Sequence, residues 1–160
     1  MSITTAMPTS FKAELMQGLH NFTASTGNDF RVALAIAATT GTLGAATTNY
    51  GSGTGSPTAS NMGTDELATG GGYTQGGFDI TAANNVTPTT SGTTAYTTPG
   101  VNPSWTSATF STSGCLMYNN TNGTRAAYVG SFGGTQSVSS GTFTILMPTN
   151  NSSTALLRIA

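Results

Sequence analysis

Charge is what this 160-residue chain has least of: four Lys plus Arg and five Asp plus Glu, 6% of all residues, where ordinary domains carry about 25%. The four cations, Lys12, Arg31, Arg125 and Arg158, are dispersed along the chain. They cannot neutralise a run of phosphates, so no nucleic-acid partner is expected. His20 is the sole histidine, which excludes a His-rich metal centre or an imidazole relay within one chain. Cys115 is the sole cysteine, so no intrachain disulfide can form. No run approaches the ~18 apolar residues of a membrane-spanning helix, and no membrane partner is expected. The first ten residues lack a basic segment followed by an apolar one, so a signal peptide is not expected.

Threonine, serine, asparagine and glycine stand where charge would be. Disorder normally combines low hydrophobicity with high net charge, whereas the formal net charge here is -1, so an ordered fold is expected. The apolar fraction is 36%, below the ~45–50% of ordinary domains. A chain of this length still buries roughly 70% of its extended surface. A thin core follows, as in a two-layer β structure. With so little charge to keep copies apart, the composition suits a molecule covered by partners.

Only residues 11–22 carry a helical pattern, with Phe11, Leu15, Leu19 and Phe22 on one stripe. Thr9 or Ser10 is expected to cap that helix, Glu14 to favour its positive end and His20 its negative end. The helix should lie across one face or edge of a sheet. Ahead of it, residues 1–10 read as an extended arm with Ile3 and Met7 available to dock on a neighbour. Residues 30–37, FRVALAIA, alternate cleanly and give the best strand, its second face of alanines open to the helix or a second layer. Residues 39–72 form a Thr/Gly/Ser-rich excursion with Tyr50 and Met62 as isolated large apolar groups. An excursion this long is expected to reach along a neighbouring subunit, to order on assembly, or to remain a loose surface segment.

Further strands are expected at residues 76–81, 94–97, 107–110, 114–118, 126–132, 141–147 and 155–159. Asn and Gly in residues 119–123, NNTNG, mark a turn between two of them. Trp105 is expected to plug the core. About seven to nine short strands make the fold mainly β, a β-sandwich or jelly-roll-like domain with one short N-terminal helix. Residues 11–160 form a single domain in this reading. Few charges are available to blunt its edge strands, which favours sheet contacts between subunits.

No constellation of residues points to catalysis. His20 ends an apolar helix, away from any serine in a nucleophile-elbow context. Asp65 and Glu66 are adjacent acids, expected to be two solvated groups in a loop; a calcium site would need more carboxylates. Glu14, Asp29 and Asp79 have no spacing that suggests a glycosidase pair. The glycines at 70–72 and 76–77 lack the lysine of a phosphate loop and read as turn glycines. Cys115, flanked by Leu116 and Met117, reads as a small buried hydrophobe. Catalytic, metal-binding and cofactor-binding residues are therefore not expected, nor is a small-molecule ligand.

Four segments carry a resemblance: FKAELMQGLHNFTASTGNDFRVALAIAA, DELATGGGYTQGGFDIT, PSWTSATFSTSGCLMYNNTNGTRAAYVGSFGG and GTFTILMPTNNSSTALLRI. Together they resemble small virion structural proteins of tailed bacteriophages. The pattern is an N-terminal helix before a strand, then a Glu-x-x-x-Gly-x-Gly-Tyr-x-x-Gly-Gly loop, here residues 66–77 with an extra glycine before Tyr73. A Trp-x-x-Ala-Thr-Phe segment then leads into the strand of Cys115. The resemblance implies a non-enzymatic virion protein on the capsid surface, a decoration or cement protein bridging major capsid subunits, as a homo-oligomer. Its alternative is a tail, baseplate or fibre component that acts as a structural or host-glycan-binding module. Ile3, Met7, Tyr50, Met62 and Tyr73 are the candidate interface residues.

Overall fold

The computed structural model of the chain describes residues 2–51 and 55–160. Met1 of the arm and residues 52–54 of the excursion lie outside the described residues. The fold is mainly β, sandwich-like, with one short helix near the N-terminus. One antiparallel sheet has four strands: β1 (Phe30–Ile36), β2 (Phe78–Ile80), β5 (Ser104–Asn119) and β6 (Arg125–Thr144), in the order β2-β1-β5-β6. The other has three: β3 (Thr89–Ser91), β4 (Thr94–Thr97) and β7 (Leu157–Ile159), in the order β3-β4-β7. The helix α1 spans Thr9–Met16.

Strand β1 explains the layering. Its Phe30, Val32 and Leu34 enter one apolar cluster, where they meet Phe11, Phe22, Trp105, Cys115 and Leu157. Its Ala33 and Ala35 enter a second cluster with Leu43, Tyr50, Met62, Leu116, Tyr118 and Val129. Alternation along the strand thus serves two cores, one on each side of the sheet. The alanine face is covered by the excursion, not by the helix. Small side chains let that irregular layer approach the strand closely.

The helix is shorter than the 3.6-residue stripe suggested. It ends at Met16, and Gly18 follows with φ +69°, a left-handed backbone that glycine adopts without steric cost. The chain then turns back, so Phe22 reaches the core from a loop and stacks on Phe30 at 4.4 Å. Pro8 occupies the N-cap position and no side chain caps the helix; Thr9 and Ser10 lie inside the first turn. Leu15 is only half-buried.

The arm folds onto its own chain. Ala6 and Val129 exchange backbone hydrogen bonds at 3.0 and 2.9 Å, and Thr4 N–H donates to the Leu43 carbonyl at 2.9 Å. The described excursion is fastened likewise: Tyr50 N–H donates to Thr124 at 2.9 Å, and Ala126 N–H donates to Thr48 at 3.0 Å. Both segments complete the chain's own second core.

The expected strands at 107–110 and 114–118 are one 16-residue strand, β5, and those at 126–132 and 141–147 merge into the 20-residue β6, which ends at Thr144. Register shifts keep the pair continuous between Trp105 and Ala108, Ala108 and Phe110, and Thr112 and Gly114. Ser107 and Ser140 take φ of 51° and 50°, each within or beside such a shift, and each extra residue bends the ladder. The NNTNG turn joins the two strands, with Gly123 at φ 63° and Thr124 at φ 53°.

Gly77 shows how closely β2 is laid on β1. Its φ is +80°, and a Cβ there would lie 2.1 Å from the Val32 carbonyl oxygen. Gly92 has φ +60° but open space around it. Gly92→Ala is expected to cost about 1 kcal/mol from backbone strain alone, and Gly77→Ala about 3 kcal/mol or more because the clash is with main chain. Urea unfolding of both variants measures the difference.

Candidate functional site

Three of the chain's five acids, Glu14, Asp65 and Glu66, are buried, at 7%, 1% and 2% exposure. This corrects the expectation that Asp65 and Glu66 are solvated, and it directs attention to what holds them. Asp65 receives the Thr40 N–H at 2.8 Å, the Thr40 hydroxyl at 2.9 Å and the Gly41 N–H at 2.6 Å. It therefore closes the start of the excursion with three donors that water would otherwise satisfy.

Glu66 sits at the centre of a tyrosine cluster. Tyr50 donates its hydroxyl to Oε2; Tyr73 donates to Oε1 at 2.8 Å, as does the Gly76 N–H at 2.7 Å. Tyr73 in turn accepts the Leu34 N–H at 3.0 Å, and Tyr118 donates to the Gly76 carbonyl at 2.8 Å. Tyr50 and Tyr118 stack with ring centres 4.2 Å apart. Burial, with the neighbouring carboxylate of Glu66, pushes the Tyr50 and Tyr73 phenols upward. Burial also pushes Tyr118 up to about 12, opposed by the nearby Arg31. These hydroxyls are held as donors at any ordinary pH.

A second network joins α1 to the hairpin. His20 donates from Nε2 to Glu14 Oε2 at 2.8 Å, and Arg125 donates to Glu14 Oε1 at 2.9 Å. The Asn119 amide donates to His20 Nδ1 at 3.1 Å and to Asn28 Oδ1 at 2.9 Å. With Nδ1 accepting and Nε2 donating, the imidazole is the neutral Nε2–H tautomer. Burial lowers the His20 pKa, and the Glu14 carboxylate only partly counters it. Its expected place at the negative end of the helix is thus replaced by a side-chain partnership, and Glu14 serves His20 and Arg125, not the first turn.

The candidate interface residues divide by depth. Tyr50, Met62 and Tyr73 are 4%, 0% and 2% exposed and belong to the chain's own cores, so they present no side-chain surface to a neighbour. Ile3 and Met7 are half-buried, packed against the second and first clusters respectively. Cys115 is buried, and burial pushes its thiol up to about 12, the inert small-hydrophobe role expected. Trp105 is buried among Tyr73, Phe78 and Phe143, as a plug should be. Among the described residues, no three His, Cys, Asp or Glu side chains are grouped to hold a metal ion.

Two further surface features of the described residues bear on binding. One is a cleft of about 410 Å³ between α1 and the three-stranded sheet, walled by Leu15, Phe22, Ala95 and Leu157. The other is the outer edge of β6. The arm and the excursion cover that edge from Arg125 to Val129, and the Thr5 hydroxyl accepts the Ser131 N–H at 3.0 Å. Beyond it the strand runs to Thr144 as the sheet's outermost strand, largely exposed and without a charged side chain.

Sequence reasoning missed the Glu14 network. The usable signal was position: Glu14 adjoins Leu15 and lies one turn from Phe11, beside the apolar stripe, where an acid needs a partner. Comparison with protein-family models, with curated proteins and with solved structures finds no match.

His20 makes stability pH-dependent. Its folded pKa lies below the ordinary 6.5, so under acid the unfolded chain takes up the proton first. Its contribution is complete above 6.5 and is lost as pH falls through the lowered folded value. Thermal melts should show Tm dropping on acidification through this window, and His20→Gln should flatten that drop. At the other network, Glu66→Leu strands two phenols and an N–H, and is expected to cost about 3 kcal/mol. Tyr50→Phe should cost less in the Glu66→Leu background than in the parent, as a double-mutant cycle by urea unfolding would measure.

Proposed function

We propose that this chain is a non-enzymatic structural protein of a tailed bacteriophage virion, and that it acts as a decoration or cement protein linking major capsid subunits. The observation that carries the reading is the distal edge of β6, a long uncharged strand at the border of its sheet. Exposed edges are normally blunted by charge; this one offers main-chain groups and hydroxyls. An extended segment of a neighbouring subunit can add to such an edge by backbone hydrogen bonding.

The resemblance of four sequence segments to small tailed-phage virion proteins supports the same reading. So does the way the chain uses its acids, most of which lie inside and leave a surface of Thr, Ser, Asn and Gly. Neighbours would meet that surface without electrostatic repulsion, and each modest contact would gain from repetition over a shell. Because the arm and the described excursion fold onto the chain itself, the proposed contact falls to the distal part of the β5–β6 hairpin.

Quantitative mass spectrometry of purified particles tests the placement. Copy number scaling with the major shell subunit is expected; a few copies per particle would move the protein to the tail, and absence from particles would overturn the reading. The edge has its own test. Thr135→Lys with Ser139→Lys is expected to leave the fold and melting temperature nearly unchanged while abolishing incorporation into shells. Normal occupancy by that variant would remove β6 as the contact.

A further inference from the structure

We propose that Asn122, in the turn of the long hairpin, is a site of spontaneous deamidation in the folded chain, converting through a cyclic imide with Gly123 to aspartate and isoaspartate. Among the chain's asparagines it alone is followed by glycine. A glycine there has no Cβ to keep its nitrogen away from the asparagine Cγ, and its backbone is free to adjust as a ring forms. The structure leaves the pair accessible. Gly123 is exposed and Asn122 half-buried, at the tip that joins β5 to β6. Gly123 takes φ +63°, and the nearest atom to an added Cβ would be Arg125 Nε at 3.8 Å, so its surroundings are open. Among the described residues, neither the Gly123 N–H nor Asn122 Oδ1 has a hydrogen-bond partner, and Oδ1 is not among the buried unpartnered atoms. The attacking nitrogen is therefore free, and the oxygen that gathers charge is open to water. Other asparagines lack this combination. Asn119 is buried with its amide on His20 and Asn28, and Asn151 precedes Ser152, whose Cβ crowds the approach.

In the reaction, the Gly123 N–H gives its proton to solvent base and the nitrogen bonds to Asn122 Cγ. The Cγ–Nδ2 bond breaks, Nδ2 takes up a proton and leaves as ammonia, and an imide ring remains. Water then opens the ring at either carbonyl: attack at Cγ restores the main chain with an aspartate, and attack at the main-chain carbonyl routes the chain through the side chain as isoaspartate. One water is consumed, one ammonia is released, and nothing is oxidised or reduced. The fold loses a defined contact. Asn122 Nδ2 donates to the Leu19 carbonyl at 2.9 Å, beside a longer bond of 3.3 Å from the Asn119 amide to the same oxygen. This ties the hairpin turn to the segment that follows α1. A carboxylate in place of the amide sets acceptor against acceptor there, and isoaspartate also adds a carbon to the main chain of a turn whose length helps fix the β5–β6 register. Deamidation is thus a one-way loosening of that join, and it is independent of the virion role, since water is its only co-reactant.

The test is incubation of the folded full chain in mildly alkaline buffer, followed by peptide mapping with mass spectrometry and by labelling with isoaspartyl methyltransferase. Position 122 is expected to gain the mass of an amide-to-acid conversion before any other asparagine, with isoaspartate among the products, since only the ring gives it. Gly123→Ala, whose added Cβ meets open space, should remove most of the isoaspartate signal over the period in which the parent converts, and Asn122→Gln should remove all of it; circular dichroism checks that both are folded. Asn122→Asp, the first of the two products, should melt about 3 °C below the parent, as loss of one hydrogen bond predicts for a chain of this length. Absence of isoaspartate at position 122 in the folded chain would overturn the proposal, even where the urea-unfolded chain forms it, because the turn would then protect the pair. Earlier conversion of another asparagine would overturn it too, and an unchanged Tm in Asn122→Asp would remove the loosening.

Discussion

The carboxylate of Glu66 is the point on which the excursion, the glycine loop and the central strand converge. It receives Tyr50 from the excursion and Tyr73 and the Gly76 N–H from the loop. Its own backbone pairs beside Ala35, and the next residue, Leu67, donates its N–H to the Leu34 carbonyl at 2.8 Å. A buried acid with three donors is costly to break, because each donor left behind bears a desolvation penalty of about 1–3 kcal/mol. A segment poor in large apolar residues is in this way fixed to a sheet. Glu14 performs the matching task on the other side, where it joins α1 to His20 and Arg125.

The same economy of large side chains shapes the sheet. Ordinary hydrophobic burial is limited here by a composition that is 36% apolar, so two cores must be closed with few bulky groups. Alanines on β1 and β6 let the covering layer come close, and aromatic pairs fill what remains, as with Phe22 on Phe30 and Tyr50 on Tyr118. Stacked rings of this kind contribute roughly 0.5–1.5 kcal/mol beyond the area they bury. Glycines at close backbone approaches do the complementary work. At Gly71, an added Cβ would stand 2.2 Å from the Thr109 carbonyl oxygen, and the Gly71 carbonyl in turn accepts the Thr109 N–H at 2.8 Å.

What was legible in the sequence was whatever a local pattern encodes. The alternation of β1, the NNTNG turn, the plug role of Trp105 and the inert Cys115 all follow from residue type and immediate neighbours. Strand length was not legible, since residues 111–113 and 133–140 fall between the expected strands, whereas in the structure they lie inside two long paired strands whose positive-φ positions, such as Gly133, Gly134 and Ser140, are irregularities and not ends. The helix was overread because an apolar stripe fixes only which residues turn inward. Phe22 turns inward from a loop after Gly18 has ended the helical geometry. The buried acids were hidden for a different reason: Thr40, Tyr50 and Arg125 become partners of Asp65, Glu66 and Glu14 only through contacts across 25, 16 and 111 residues. Each network has a near partner in sequence, His20 for Glu14 and Tyr73 for Glu66, but residue type alone does not mark those pairs without the distant partners that bury them.

Where the charges lie has a consequence for how this protein can meet others. With Glu14, Asp65 and Glu66 inside and Arg31 paired to Asp79 at 3.3 Å, Lys12 and Arg158 are the exposed cations that enter no ion pair among the described residues. Long-range steering by such a surface is weak, so encounter rates would stay near those of neutral partners. Specificity must then come from shape and backbone register at short range, and β-edge pairing supplies both. One added strand is a modest interface, whereas many repeated around a shell are not. Under the proposed virion role, a protein arranged this way would gain little from meeting a single partner in dilute solution and much from a lattice of identical ones, which is the physical sense in which that proposal fits the scarcity of surface charge.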